Sequence, residues 1–185
     1  HRSRLADGLI AYYPFNGNAN DESGNGNNGT VVNGAAIASD RHGDTNSSYS
    51  FDGTNDYVNV PHHASHNISG GLTLSAWVKL DSVGVQQVIL GKGNHENDNY
   101  DFYLQVRDNG GLFYMWRPTP TSLGNHGTFT APNAITAGRW IHVSVTHVSG
   151  EQPQLYIDGI QQSTTPHEDQ TQPRAFYSQP ITIGI

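Results

Sequence analysis

The sequence predicts an all-β protein, built as a sandwich of two antiparallel sheets. Short alternating apolar runs, separated by clusters of Gly, Asn, Asp and Ser, support this prediction. Of the 185 residues, 35% are hydrophobic, only 14% are charged and 21 are glycine, a balance typical of many short strands joined by turns. Because one sandwich often reaches this length, we expect a single domain over residues 1–185.

Period-two alternation marks the clearest strands. Residues 72–80 alternate so that one side carries Leu72, Leu74, Ala76, Val78 and Leu80, and we expect this side to face the core. Residues 140–147 alternate in the same way. The same criteria predict strands at residues 9–15, 30–37, 48–52, 56–60, 87–91, 101–106, 111–116, 154–160 and 181–185, and a polar loop at 164–173.

Charge and composition exclude several classes of function. The formal net charge of -7 repels phosphate backbones, so we expect no nucleic-acid binding. No apolar run approaches the roughly 20 residues that span a bilayer, so we expect no membrane insertion. The absence of cysteine excludes disulfides, thiolate zinc sites and cysteine nucleophiles.

Six segments in consistent order carry a resemblance to a known family. They include Phe51-Asp52-Gly53 and Ser75-Ala76-Trp77-Val78, and together they are residues 9–26, 51–58, 72–78, 138–143, 155–159 and 181–184. In these segments the chain resembles the laminin-G-like, concanavalin A-like domains of many bacterial surface proteins. The resemblance runs from residue 9 to residue 185, which leaves residues 1–8 as an N-terminal extension. It implies a jelly-roll sandwich that is secreted and acts outside the cell or at its surface.

One difference from the family pattern concerns the end of the chain. Family members usually continue past the strand at 181–185 with a last strand that lies beside the first strand, here 9–15. This sequence stops before that strand. Either the chain is cut short, or another copy or another chain supplies the strand, as in assembly by strand addition.

The resemblance also implies a calcium ion, held between the first loop and the Phe51-Asp52-Gly53 turn. Carboxylate and amide oxygens are the ligands that calcium prefers. The candidate ligands are Asp21, Asn25, Asn28, Asp52 and Asp56. The alternative is that these residues satisfy backbone groups of their own turns.

Zinc binding and catalysis have weaker support. His62, His63 and His66 are metal-ligand types, but neighbouring strand residues point to opposite faces, so a solvated loop is favoured. Related glucanases carry closely spaced carboxylates on one strand for acid and nucleophile roles. No such pattern occurs here, so we expect no enzymatic activity.

Aromatic and polar residues suggest a ligand site. Exposed aromatic rings stack on sugars and anchor protein partners. We expect ligand contacts from Tyr100 and Trp116, open to solvent, and from Asn97 and Asp98 in the adjoining loop, whose composition also suits a solvated turn. Trp77 and Trp140 are expected to be partly buried and structural.

The sequence therefore predicts a calcium-stabilised, non-catalytic extracellular binding module. Carbohydrate is the first expected ligand, so the partner is a glycan or a cell-surface protein. Protein adhesion, or self-assembly with another copy that supplies a strand, is the alternative. An accessory domain of a glycoside-active enzyme is the third interpretation.

Overall fold

Antiparallel strands form almost all of the regular structure. A computed structural model gives the structure of residues 7–94, 99–118, 126–168 and 173–184. The strands in these residues are β1 (Thr30–Val32), β2 (Ala36–Ala38), β3 (Ser48–Ser50), β4 (Tyr57–Val60), β5 (Gly71–Lys79), β6 (Gln87–Asn94), β7 (Asn99–Val106), β8 (Leu112–Trp116), β9 (His126–Thr130), β10 (Trp140–Val148), β11 (Gln154–Ile157), β12 (Ile160–Gln161), β13 (Thr164–His167) and β14 (Ile181–Ile183). The expected all-β class is confirmed.

The strands pair into two main sheets and a ribbon. The large sheet has the order β1-β4-β14-β6-β7-β8-β9-β13, the small sheet has the order β12-β11-β10-β5, and β2 pairs with β3. Every pairing is antiparallel, which confirms the expected sheets. No helix among the described residues is long and apolar enough to cross a membrane.

The main core lies between the small sheet and strands β6 to β8 of the large sheet. From the small sheet, Ile141, Val143, Val145 and Leu155 are at most 1% exposed. They belong to one cluster with residues of the large sheet, among them Leu104, Leu112, Tyr114 and Trp116. A second, smaller cluster centres on Val58 and Val60.

Residues 9–15 differ from the prediction because they form no strand. Loop side chains satisfy the backbone of this segment: the Tyr12 N–H donates to Asp21 Oδ1 at 2.9 Å, and the Ile10 carbonyl accepts from Asn27 Nδ2 at 2.8 Å. Phe15 has a φ of 56°, which is outside the strand region. The segment still contributes to the fold, since the side chains of Tyr13 and Phe15 pack against the second cluster.

Two strands occur where the sequence pattern did not indicate them. β9 pairs with β8, and β13 pairs with β9 at the edge of the large sheet. β13 lies in the segment that the sequence marks as a polar loop, and it contains Pro166. An edge strand tolerates proline because its outward N–H is not needed for pairing.

A β-bulge brings a buried ion pair to the end of the main core. Lys92 pairs with Phe102 and Gly93 pairs with Tyr100, so Asp101 has no partner of its own across the strands. Its carboxylate forms a buried ion pair with Lys92. Burial is the main effect on Asp101 and raises the pKa of its carboxyl group, although Lys92 opposes the shift.

The same lysine ties two loops to the sheet. Lys92 Nζ donates to Asn67 Oδ1 at 3.0 Å and to the Tyr177 carbonyl at 2.6 Å. The Tyr177 N–H donates in turn to Asp101 Oδ1 at 2.6 Å. The ammonium group is therefore surrounded by acceptors, as a buried charge requires.

The histidine segment forms a 3-10 turn at Ala64–His66, capped by His63. His66 is only 3% exposed, so the expected solvated loop is wrong for this residue. Its Nδ1 accepts the His63 N–H at 3.3 Å, and its Nε2 has no hydrogen-bond partner within the described ranges. No three His, Asp or Glu side chains of these ranges gather closely enough to hold a metal ion.

Acidification should destabilise the fold through its buried histidines. Burial lowers the pKa of His66 to about 4 and that of His147 to about 3. Both histidines become protonated near their ordinary pKa of about 6.5 only in the unfolded chain, so stability is complete above that pH and falls as the pH is lowered. Urea unfolding should show a loss of about 1.4 kcal/mol per pH unit for each histidine between about pH 6 and pH 4.5.

The variant His66→Gln isolates this effect. Its free energy of unfolding should depend on pH less steeply than that of the wild type, by about 1.4 kcal/mol per pH unit. Its stability at pH 7.5 serves as the reference for each curve. An unchanged slope would show that His66 does not contribute.

Candidate ligand-binding surface

The outer face of the small sheet presents aromatic and polar side chains to solvent. In β5 and β10, core-facing residues alternate with residues that face outward. The strands pair over nine positions without a register shift, and His142 lies opposite Trp77. The outward residues of these strands include Thr73, Ser75, Trp77, Lys79, Trp140, His142, Ser144 and Thr146.

Trp77 is the most prominent side chain of this face. It is 45% exposed. The guanidinium carbon of Arg41 lies 4.6 Å from its ring centroid, and the ring centroid of His142 lies 5.2 Å away on the neighbouring strand. Across the strands, Ser75 Oγ and His142 Nε2 are within hydrogen-bond distance, at 2.8 Å. We call Trp77, Arg41, Ser75 and His142 the Trp77 surface.

The turn at Asp158 fixes the backbone beneath His142. Asp158 Oδ1 accepts the His142 N–H at 2.9 Å, and the Asp158 N–H donates to the His142 carbonyl at 2.8 Å. Asp158 Oδ2 pairs with Arg139 Nη1 at 3.0 Å. The His142 N–H and the Arg139 side chain lower the pKa of Asp158, so this carboxylate is ionised and already paired.

The Trp77 surface has the chemistry of a stacking site. An indole ring offers a flat apolar face, and the hydroxyl, imidazole and guanidinium groups around it supply hydrogen bonds. Ser75, Trp77 and His142 lie on paired strands, so the sheet sets their spacing, whereas Arg41 approaches from the turn between β2 and β3.

The aromatic residues predicted for ligand binding lie elsewhere. Tyr100 and Trp116 are both 0% exposed, so the expectation that they are open to solvent is wrong. Trp116 faces the core, where its ring centroid lies 5.7 Å from that of Tyr114 and 4.4 Å from that of His147. Asn97 and Asp98 lie outside the described residues.

The sequence pattern indicates that Trp77 lies on the outward side of its strand. The alternation that assigns Leu72, Leu74 and Ala76 to the core places Trp77 on the opposite side of the strand. Trp77 is partly buried, as expected, but 45% of its side chain is open on the outward side of the strand, so its role extends beyond packing. Trp140 is half-buried, as expected.

Comparison with known proteins places the chain in a family. A laminin G family model, described as the concanavalin A-like lectin/glucanases superfamily, matches residues 52–185, which is more than half of the chain. The chain belongs to this superfamily. No curated protein matches the sequence significantly.

Solved structures with the same superfamily fold include toxin binding domains. The binding domain of Paraclostridial Mosquitocidal Protein 1 is 17% identical, with a TM-score of 0.73 over 97% of this chain and 45% of that one. A botulinum neurotoxin serotype D ligand-binding domain in complex with N-acetylneuraminic acid is 17% identical, with a TM-score of 0.68 over 96% and 43%. The botulinum neurotoxin DC binding domain in complex with rat synaptotagmin II is 17% identical, with a TM-score of 0.66 over 97% and 44%.

These likenesses are likenesses of fold. The chain spans less than half the length of each of the three solved chains. The likeness of fold therefore does not assign a ligand or partner of the toxin domains to this chain.

The contacts of the first loop, residues 18–28, test whether it can hold the calcium ion that the resemblance implies. Asp21 is 9% exposed, and its two carboxylate oxygens accept four hydrogen bonds. Oδ1 accepts from the N–H groups of Tyr12 and Ser23, and Oδ2 accepts from the Ser23 hydroxyl and the Asn27 N–H, all at 2.8–3.0 Å. Burial opposes ionisation of Asp21, but these donors outweigh it and lower its pKa.

The other candidate ligands also serve their own loops. Asn28 Oδ1 accepts the Asp21 N–H at 2.9 Å, and Asn25 Nδ2 donates to backbone carbonyls. Asp52 Oδ1 accepts two N–H groups of its turn, and the Asp56 oxygens accept the N–H groups of Gly34 and Asp52.

The donor set does not fit a calcium ion at Asp21. A carboxylate offers about four lone-pair sites, and donors fill all four at this residue. Asp21, Asp52 and Asp56 do not form a cluster of metal-ligating side chains in the structure as described. Calcium remains a prediction of the resemblance, and the contacts favour the alternative in which these residues organise turns.

Replacing Asp21 should separate these two roles. Asp21→Asn removes one acceptor oxygen and the charge that four donors stabilise, so the midpoint of thermal unfolding should fall, by an amount worth about 2 kcal/mol. The decrease should be the same with and without EDTA. Asp52→Asn, at an exposed turn, is the matched control and should have a smaller effect.

A chelator response would contradict this account. If EDTA lowers the midpoint of the wild type, calcium restores it and Asp21→Asn no longer responds, then Asp21 binds the ion.

Proposed function

We propose that this domain is a non-catalytic extracellular module that binds carbohydrate through the Trp77 surface. The observation that carries the proposal is the exposed indole of Trp77, set among hydrogen-bonding side chains on the flat outer face of a sheet. Sugars present apolar C–H faces and a rim of hydroxyl groups, which this combination complements.

The family and the structural neighbours support a binding role. The superfamily takes its name in part from lectins. The solved neighbours are named as binding domains, one of them in complex with N-acetylneuraminic acid. Lectins and toxin binding domains act outside the cell that makes them, which supports a secreted or cell-surface location.

The charges at this surface support binding rather than hydrolysis. Glycoside hydrolysis requires two carboxyl groups on either side of the scissile bond. Asp158 contacts this face through His142, and its charge is paired with Arg139. Because Asp158 is already paired, it is poorly suited to act as the acid or the nucleophile of hydrolysis.

Trp77→Ala should weaken carbohydrate binding without unfolding the domain. A glycan array identifies the sugars that the wild type retains, and calorimetry then measures affinity for each variant. Loss of a central tryptophan typically costs about 2 kcal/mol, or roughly thirty-fold in affinity, and Trp77→Phe should recover part of it.

Tyr12→Ala is the matched control for this experiment. Tyr12 is 52% exposed and lies in the segment 9–15, outside the Trp77 surface. Its loss should leave affinity unchanged. The proposal is wrong if Trp77→Ala binds the retained sugars as tightly as the wild type does.

Self-assembly by strand addition is a second candidate function, which the open edge of β5 favours. β5 is nine residues long and pairs only with β10 among the described strands. The other sheet edges are protected, because β1 and β12 are short and β13 contains Pro166. β5 has no proline and no bulge in its pairing with β10.

The core is also less covered along β5. Leu74, Ala76 and Val78 are half-buried, whereas the β10 residues opposite them are at most 1% exposed. A strand beside β5 would cover these side chains and pair its free edge. The family pattern places such a strand next to residues 9–15. Because residues 9–15 form no strand, we propose that the added strand pairs with β5 instead.

If β5 mediates assembly, a charge on its core-facing side should prevent it. Inward-pointing charges block edge pairing in natural sheets. Sedimentation velocity of the wild type should show concentration-dependent dimers, and Ala76→Lys should be monomeric. Val31→Lys, on the short β1 edge, is the control and should still dimerise. A wild type that stays monomeric at all concentrations would exclude assembly through β5.

A further inference from the structure

The described cations differ in how their side chains are held. Lys92, Arg139 and Arg174 are each held by carboxylate or carbonyl oxygens. The side chains of Arg41 and Arg107 make no hydrogen bond or ion pair within residues 7–94, 99–118, 126–168 and 173–184. Each of these two guanidinium groups lies over an aromatic ring instead. Their N–H groups are therefore available to acceptors from outside the chain.

Arg41 combines this availability with the Trp77 surface. Its guanidinium carbon lies 4.6 Å from the Trp77 ring centroid, and 45% of Trp77 remains exposed beside it. Stacking uses the flat face of a guanidinium and leaves the N–H donors at its edge free. The edge of Arg41 therefore presents a fork that matches the two oxygens of a carboxylate.

A second cation at this face, Lys79, can also attract an anion. Lys79 lies on the same outward side of β5 as Trp77, and the structure gives it no ion pair with a described residue. Asp158 is neutralised by Arg139, and Asp40 Oδ1 accepts the N–H groups of His42 and Asp44. Arg41 and Lys79 therefore have no ion-pair partner among the described residues, whereas the ionised carboxylate of Asp40 lies close enough to Arg41 for this cation to help lower its pKa.

The Ser75–His142 pair completes the set of contacts. The His142 ring centroid lies 5.2 Å from that of Trp77, so this pair can accept from and donate to hydroxyl groups of a ligand at the indole. A ring that stacks on Trp77 would then be held through hydroxyls by this pair and through a carboxylate by Arg41.

We propose that the ligand of the Trp77 surface is an acidic saccharide, whose ring stacks on Trp77 and whose carboxylate accepts two hydrogen bonds from Arg41. This inference rests on the proposed function and adds the chemical class of the sugar. It also assigns Arg41 as the residue that determines specificity.

A matched pair of ligands tests the charge directly. Oligogalacturonide and its methyl ester share the same rings and linkages, but only the free acid carries carboxylates. Calorimetry at low ionic strength should show about tenfold tighter binding of the free acid by the wild type, as expected for one charge-assisted bidentate contact.

Variants of the two stacked arginines assign that preference. Arg41→Gln should bind the acid and the ester equally, and Arg41→Lys should recover only part of the preference because lysine lacks the planar fork. Arg107→Gln, whose guanidinium lies over Phe113 and Phe129 of the other sheet, should keep the full preference. Thermal unfolding of each variant confirms that it is folded.

The outcomes separate this inference from the proposed function. If the ester binds in a Trp77-dependent manner and the acid gains nothing, the acidic class is wrong while carbohydrate binding stands. If Arg41→Gln keeps the preference, Arg41 is not the determinant. If a glutamate-rich peptide binds as tightly as the oligogalacturonide, the ligand is a protein carboxylate and the saccharide class is overturned. If neither saccharide binds while the glycan array retains a neutral sugar, the acidic class is wrong and carbohydrate binding stands, and if the array retains no sugar at all, both proposals fail.

Discussion

The unbroken register between β5 and β10 is the constraint on which the rest of the domain depends. Nine consecutive pairs hold the two strands together. Because side chains alternate between the faces of a strand, a slip of one residue would turn Trp77 into the core and Leu74 out to solvent. The main core and the Trp77 surface are therefore two sides of the same pairing, and neither can change without the other.

The same strand carries both candidate functions. The outward side of β5 contributes Ser75 and Trp77 to the sugar-stacking face that we propose, and its free edge and half-covered inner side suit the addition of a strand. The two roles are compatible, since a strand added beside β5 would widen the outer face without covering the ring of Trp77 from above. They differ in the forces involved, because stacking depends on the indole ring, whereas strand addition depends on backbone groups and buried apolar area.

Buried polar groups elsewhere in the domain stabilise the fold. The bulge at Asp101 allows a lysine to be buried with an ion-pair partner, and the loops at Asn67 and Tyr177 supply its remaining acceptors. His66 and His147 are buried in neutral form, so the fold loses stability when the pH is lowered. The acceptors of the first loop are likewise occupied, because Asp21 binds four donors of its own chain. At these sites the polar groups bind other groups of the same chain, whereas the N–H donors of Arg41 remain free.

The sequence by itself determined the all-β class and the strands at 72–80 and 140–147, because period-two alternation and local turn residues are encoded in neighbouring residues. It also identified the superfamily, through the resemblance of six segments in consistent order. It did not determine which aromatic ring faces solvent: Trp116 is buried because β7 and β9 flank its strand and the small sheet covers it. Nor did it show that residues 9–15 are held by Asp21 and Asn27, or that Arg41 lies on Trp77. These contacts join residues far apart in sequence, so only the tertiary structure decided them.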